Sequence, residues 1–366
     1  MRPITPRRIV TTFVVSSALL GGSLPAAAQT GPAAAAAAPN GTTTSDAAQG
    51  LRYTGGAGAN RITVVTIPGD RFLVSDTSPI TAGPGCTPTT VGGGLFAVSC
   101  LAPRTPNGQV FKPFRVDAGG GDDVVNNSSA APMRATGGPG NDTLNGGFLG
   151  DNLSDGNGRD TLRGHGGDDT LSTDFGPNDG LSDVLDGGDG ADDLRAGPGN
   201  DRLIGGAGDD TLRGGAGADV FDGGPGAHDA VVYLDNAHDN YVRLVASIDN
   251  TDNDGIATFG PPVEKDNILD SVEDLFGGRG PDVLVGNDGP NRLQGNLGND
   301  VLVGNKGADV LRGGPDNDTL ATNDLFGVPQ PDGAIDTADG GSGTDTCHVP
   351  ANEGDVRISC ENIDTD

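Results

Sequence analysis

Aspartate returns every nine residues through much of this chain, and that period constrains the fold more than any other property. The Asp of successive Asp-x-Leu/Val steps falls at Asp142, Asp151, Asp160 and Asp169, then at Asp183, Asp192, Asp201, Asp210 and Asp219. It returns at Asp282, Asp300, Asp309 and Asp318, while Asn291 stands where the count would also strike. Each step closes a segment near Gly-Gly-x-Gly-x-Asp-x-Leu-x. Gly137-Gly138-Pro139-Gly140-Asn141-Asp142-Thr143-Leu144 is one copy and Gly205-Gly206-Ala207-Gly208-Asp209-Asp210-Thr211-Leu212 another. Six residues of glycine-rich turn followed by a minimal strand cannot bury an apolar face alone, so the copies must stack.

Stacking fixes the rest of the geometry. Glycines permit positive φ and let backbone carbonyls converge on one point. The residue two after each Asp faces inward: Leu144, Leu153, Leu162, Leu171, Leu185, Leu194, Leu203, Leu212, Phe221, Leu284, Leu293, Leu302, Leu311 and Leu320. One apolar residue in nine is a thin core. Two turns make one coil, so strands lie about 4.8 Å apart on each face and the aspartates form columns along both edges. Like charges about 5 Å apart repel by roughly 3 kcal/mol per pair at an effective dielectric of 20. Such a stack needs a counter-ion.

These segments resemble the RTX, or hemolysin-type, calcium-binding repeat over roughly residues 117–235 and 277–348. The resemblance implies an all-β fold, a parallel β-roll (a β-helix or solenoid) of nonapeptide repeats, with calcium between successive turns. It places the ligand carboxylates at Asp142, Asp151, Asp160, Asp169, Asp183, Asp192, Asp201, Asp210, Asp219, Asp282, Asp300, Asp309 and Asp318, with turn carbonyls completing each cage. The chemistry agrees: a hard divalent cation favours carboxylate and carbonyl oxygens, and calcium tolerates a flexible cage that suits magnesium's octahedron badly. Calcium is expected to be structural and to drive folding.

Composition points the same way. With 64 Gly, 51 acidic against 22 basic residues and a formal charge of −29, the chain would ordinarily be disordered. Bound cations offer a way out. The same charge argues against nucleic acid or an anionic membrane surface as partner, and no apolar run is long enough for a membrane span.

Residues 1–28 read as a signal peptide: Arg2, Arg7 and Arg8, the apolar run Ile9 to Leu20, then Ala26-Ala27-Ala28. The expected location is extracellular. Residues 29–50 read as an Ala/Pro/Thr-rich linker. A short irregular β segment follows at 51–116, expected to be a cap or the first coils of the solenoid. Then come a first array (117–235), an interruption (236–276), a second array (277–348) whose spacing degenerates beyond Leu320 but places Asp336 and Asp345 in phase, and a C-terminal cap (349–366). Export makes two disulfides the expectation, paired locally as Cys86–Cys100 and Cys347–Cys360.

No catalytic signature stands out. None of His165, His228, His238 and His348 lies in a His-Glu-x-x-His motif, and no Gly-x-Ser-x-Gly elbow occurs. The chain is not expected to be an enzyme. Asn250-Thr251-Asp252-Asn253-Asp254-Gly255 opens like an EF-hand loop, but Pro261 stands where the bidentate Glu is required. The resemblance leaves open an adhesin or matrix role with a glycan or protein partner at 51–116 or 236–276. A hydrolase hidden in those same segments would need a nucleophile, and none is evident there.

Overall fold

In strands such as Thr143–Asn145, Thr211–Arg213 and Val283–Val285 the central residue points inward while its neighbours are more exposed. That period of two needs only one apolar residue per strand. The computed structural model describes residues 41–46, 50–102, 113–173, 180–233, 243–257, 265–323, 334–349 and 354–364. Among these the regular elements are strands, without a helix, and the arrays form a parallel β-roll. No helix among them is long and apolar enough to cross a membrane.

The chain alternates between two faces. One is a fifteen-stranded sheet; the other is an eleven-stranded sheet followed by a seven-stranded one. On the second face Leu144 lies opposite Leu162, then Leu185 and Leu203. On the first, Leu153, Leu171, Leu194 and Leu212 are aligned in the same way. These side chains are almost wholly buried and join one core running from Leu51 to Val349.

Among its described residues, the interruption adds extra strands to one face only. On the fifteen-stranded sheet Ala230–Val232 pairs directly with Asp274–Phe276, so that ladder has no gap. On the other face Val220–Asp222 pairs with Asn267–Ile268, and Ile268 bridges to Ile248. The hairpin of Arg243–Ser247 with Gly255–Ala257 then starts the seven-stranded sheet beside Val283–Val285. The inserted residues thus add a rung to one side of the roll.

At the N-terminal end Gly50–Thr54 and Arg61–Ile67 pair in parallel with Phe114–Asp117 and Val124–Ser128. The strands Arg71–Asp76, Cys86–Thr90 and Phe96–Leu101 fold back antiparallel beyond them. One expectation needs correcting. Residues Gly41–Asp46, inside the stretch read as linker, form an antiparallel edge strand on Gly50–Thr54. Thr42, Thr43 and Thr44 are β-branched and suit a strand; Thr43 is buried and its hydroxyl donates to the Thr81 carbonyl. The signal-peptide reading of 1–28 and residues 29–40 lie outside the described residues.

At the other end the degenerate spacing does not break the roll. Thr337–Ser342 and Thr346–His348 pair in register with Val310–Pro315 and Thr319–Ala321. Val356–Ile358 and Asn362–Asp364 add the last described rungs. Disulfides join Cys86 to Cys100 and Cys347 to Cys360. Cys347 takes the inward position opposite Leu320, so the second disulfide replaces a leucine of the core.

Candidate metal centre: two carboxylate ladders

The turn at 205–210 shows why the motif is rich in glycine. Gly206 has φ 107° and Gly208 φ 135°, values that L side chains rarely adopt. A Cβ at Gly206 would overlap the carbonyl oxygen of Gly188 in the preceding coil, and one at Gly208 that of Gly190. At Gly206 and Gly208 the coils therefore approach this closely without a side chain between them.

That approach lets each aspartate bind the coil before it. The Asp142 N–H donates to Asp160 Oδ1 at 2.8 Å, and Asp160, Asp183 and Asp201 continue the series to Asp183, Asp201 and Asp219. On the opposite edge the Asp151 N–H donates to Asp169 Oδ1, Asp169 to Asp192 at 2.7 Å, and Asp192 to Asp210 at 2.7 Å. The second array repeats both columns: Asp282 to Asp300 to Asp318 on one edge, Asn291 to Asp309 on the other. All the aspartates expected from the sequence are buried. A shallower ladder runs outside, where Asn or Asp before the repeat Asp accepts from the following coil, as Asn141 Oδ1 does from the Arg159 N–H.

The other carboxylate oxygen carries the chemistry. In Asp142, Asp169, Asp192, Asp210, Asp300 and Asp318, Oδ2 is buried and accepts no hydrogen bond. A buried carboxylate oxygen without a partner carries a desolvation cost. The first glycine of the turn leaves a space beside it. At Gly187 a Cβ would overlap both Asp192 Oδ2 and the Gly205 carbonyl, and at Gly205 both Asp210 Oδ2 and the Gly223 carbonyl. Carboxylate on one side, carbonyl on the other and no nearby donor is the ligand set of a hard cation. The residues fit calcium.

Not every expected aspartate has this environment. Asp151 Oδ1 accepts from the Met133 N–H and Oδ2 from the Gly147 N–H, in a turn where Leu149 replaces the usual glycine. Asp282 is likewise closed by the Leu244 and Gly278 N–H groups. Asn291 accepts from the Asn287 N–H and donates its amide to the Glu273 carbonyl. Two tyrosines play a similar part: Tyr53 Oη donates to Asp76 Oδ2 at 2.6 Å, and Tyr233 Oη to Asp266 Oδ2 at 3.0 Å. Asp266 Oδ1 also accepts the ladder N–H of Asp219, and Asp76 Oδ1 accepts the Arg61 N–H. Asp254, in the EF-hand-like stretch, accepts from the Ser247 and Ile268 N–H groups, so it serves as a staple.

The ladders also hold acidic residues outside the expected ligand set. Asp123 accepts from the Asn60 N–H and Asp229 from the Asp210 N–H, while Asp336 and Asp345 accept from Asp309 and Asp318. Asp229 escapes the nine-residue count because His228 lengthens its turn, although Asp229-Ala230-Val231 keeps the Asp-x-Val signature. Asp155 is a different case. It occupies the position of the first turn glycine and is brought together with Asp142 and Asp160, all three buried.

Burial raises these carboxyl pKa values. Desolvation, partly offset by the ladder N–H bonds, lifts Asp169 to about 8 and Asp300 and Asp318 to about 7. Each binds its proton more tightly folded than unfolded, where it titrates near 3.8. Its contribution to metal-free stability is therefore full below about pH 4 and lost as pH rises through the folded value. Denaturant unfolding in chelator should show stability falling between about pH 4 and pH 8. Stability that rises over that interval would contradict the assignment.

The family model of the RTX calcium-binding nonapeptide repeat, in four copies, matches residues 134–148, 149–179, 182–203, 195–227, 270–289 and 285–320. No curated protein matches the chain. The matched segments coincide with the turns that carry both ladders. Over residues 134–227 and 270–320 this chain carries RTX calcium-binding nonapeptide repeats.

Proposed function

We propose that this is a secreted, non-enzymatic calcium-binding protein whose β-roll folds around its ions. The buried Oδ2 atoms carry this reading: oxygens that accept no hydrogen bond recur along both edges, beside turn carbonyls. Asp142, Asp160, Asp169, Asp183, Asp192, Asp201, Asp210, Asp219, Asp300, Asp309 and Asp318 would hold the ions. Asp123, Asp229, Asp336 and Asp345 would extend the columns, whereas Asp151 and Asp282 would bind weakly or not at all. Bound calcium supplies positive charge between successive coils and coordinates oxygens that no N–H reaches. With a dissociation constant near 0.1 mM, 1 mM calcium would add about 1.4 kcal/mol per site. Secretion is supported by the N-terminal segment and by the two disulfides, which persist in oxidising surroundings.

Far-UV circular dichroism of the chain without residues 1–28 should show the roll lost in chelator and regained in millimolar calcium. Asp210→Asn should lower the number of ions bound by about one, because it changes a ladder carboxylate. Asp151→Asn should leave that number unchanged, although it costs an acceptor for the Gly147 N–H. Identical spectra in chelator and calcium would overturn the reading.

An adhesin or matrix role is favoured by one surface. Arg52, Arg115 and Arg134 stand side by side on adjacent strands and, with Thr136 and Asn152, line a groove of about 290 Å³. Arg52 pairs with Asp117 at 3.6 Å, and among the described residues Arg115 and Arg134 have no ion pair. Neighbouring like charges on one sheet face are unfavourable unless an anion spans them. Cosedimentation with acidic cell-wall material should fall when Arg115 and Arg134 are both changed to Ala. Unchanged cosedimentation would remove this second reading.

A further inference from the structure

We propose that Asp142, Asp155 and Asp160 form a three-carboxylate cation site, distinct in charge from the other sites of the roll and the first to fill. The inference rests on the calcium-binding reading above. Its starting point is a departure from the repeat: Asp155 occupies the position held by Gly137, Gly146, Gly187 and Gly205 in other turns.

Among the described residues Asp155 has no partner of positive charge. It is 1% exposed, and its Oδ1 accepts from the Gly138 and Gly156 N–H groups at 3.0 and 2.8 Å. Its Oδ2, like that of Asp142, is buried and no N–H reaches it. Among the described residues neither aspartate has an ion pair. Oxygens of the three carboxylates lie within 4.8 Å of one another. A Cβ at Gly137 would overlap both Asp155 oxygens and Asp142 Oδ2, so the glycine of the preceding coil opens the space these groups share.

Elsewhere on an edge, successive coils present one carboxylate each. Here two coils present three, in a setting that excludes water. Three such charges within one coordination radius call for a cation of charge two or more, and calcium affinity rises steeply with the number of ligand carboxylates. A trivalent lanthanide, which answers the same oxygen ligands with more charge, should be retained there most strongly.

Calorimetric calcium titration of the full chain tests this, with Asp155→Gly restoring the residue that most turns carry at this position and Asp155→Asn keeping the side-chain size. The wild type should show one site at least about tenfold tighter than the rest. Both variants should lose that class while the weaker sites and the calcium-saturated circular dichroism spectrum persist. Lanthanum should displace calcium from the wild type at lower concentration than from either variant. Superimposable isotherms for the wild type and both variants would overturn the three-carboxylate site while leaving the roll's calcium binding intact. Absence of calcium binding in all three proteins would instead overturn the underlying reading.

Discussion

Everything in this roll depends on one bond: the backbone N–H of a ladder aspartate held by the carboxylate of the aspartate one coil further on. It fixes the separation of coils, the burial of the carboxylate and the direction of its second oxygen. The inward residues alone could not do this, because each strand contributes a single side chain to the core. The bond also creates the difficulty that the metal answers. Once Oδ1 is committed to the neighbouring coil, Oδ2 is carried out of water with nothing to donate to it, and the columns accumulate negative charge. Without a cation such carboxyls resist ionisation, as the raised value of Asp169 shows.

The places where the roll changes character obey the same constraint by other means. Near the first coil Tyr53 donates to Asp76, and at the spliced rung Tyr233 donates to Asp266. In each case a phenol supplies the hydrogen bond that Oδ2 of Asp142, Asp169, Asp192, Asp210, Asp300 and Asp318 lacks. Asn291 replaces charge with an amide that donates to the Glu273 carbonyl, and Asp151 and Asp282 bend back onto N–H groups of their own turns. Asn296 and Asn305 likewise give side-chain amides to the Gly277 and Gly286 carbonyls. The second array thus satisfies more of its oxygens internally than the first.

Much of this was legible in the sequence because the period ties each Asp to an inward Leu and to turn glycines. The parallel roll follows from the family resemblance that the period carries, the inward leucines and the continuation through Asp336 and Asp345 from the spacing, and both disulfides from the expectation of export. Position in the count could not show the hydrogen-bond environment of each carboxylate. Asp151 and Asp169 read alike, yet only a folded turn reveals that Gly147 reaches one of them. Asp229 was lost to a single inserted residue, and Asp155 was hidden in a position where glycine was expected. Nor could periodicity say that the described strands from Arg243 to Ile268 join one face while Asp274–Phe276 continues the other without a gap, since that is decided by which strands find parallel partners.

The most direct measurement is hydrogen–deuterium exchange of the ladder amides themselves, those of Asp169, Asp192, Asp210 and Asp300. If cations hold the columns together, these N–H groups should be protected in millimolar calcium and exchange rapidly in chelator at neutral pH, regaining protection when calcium is restored. Equal protection in chelator and in calcium would contradict the account, because the carboxylate columns would then be stable without a counter-ion.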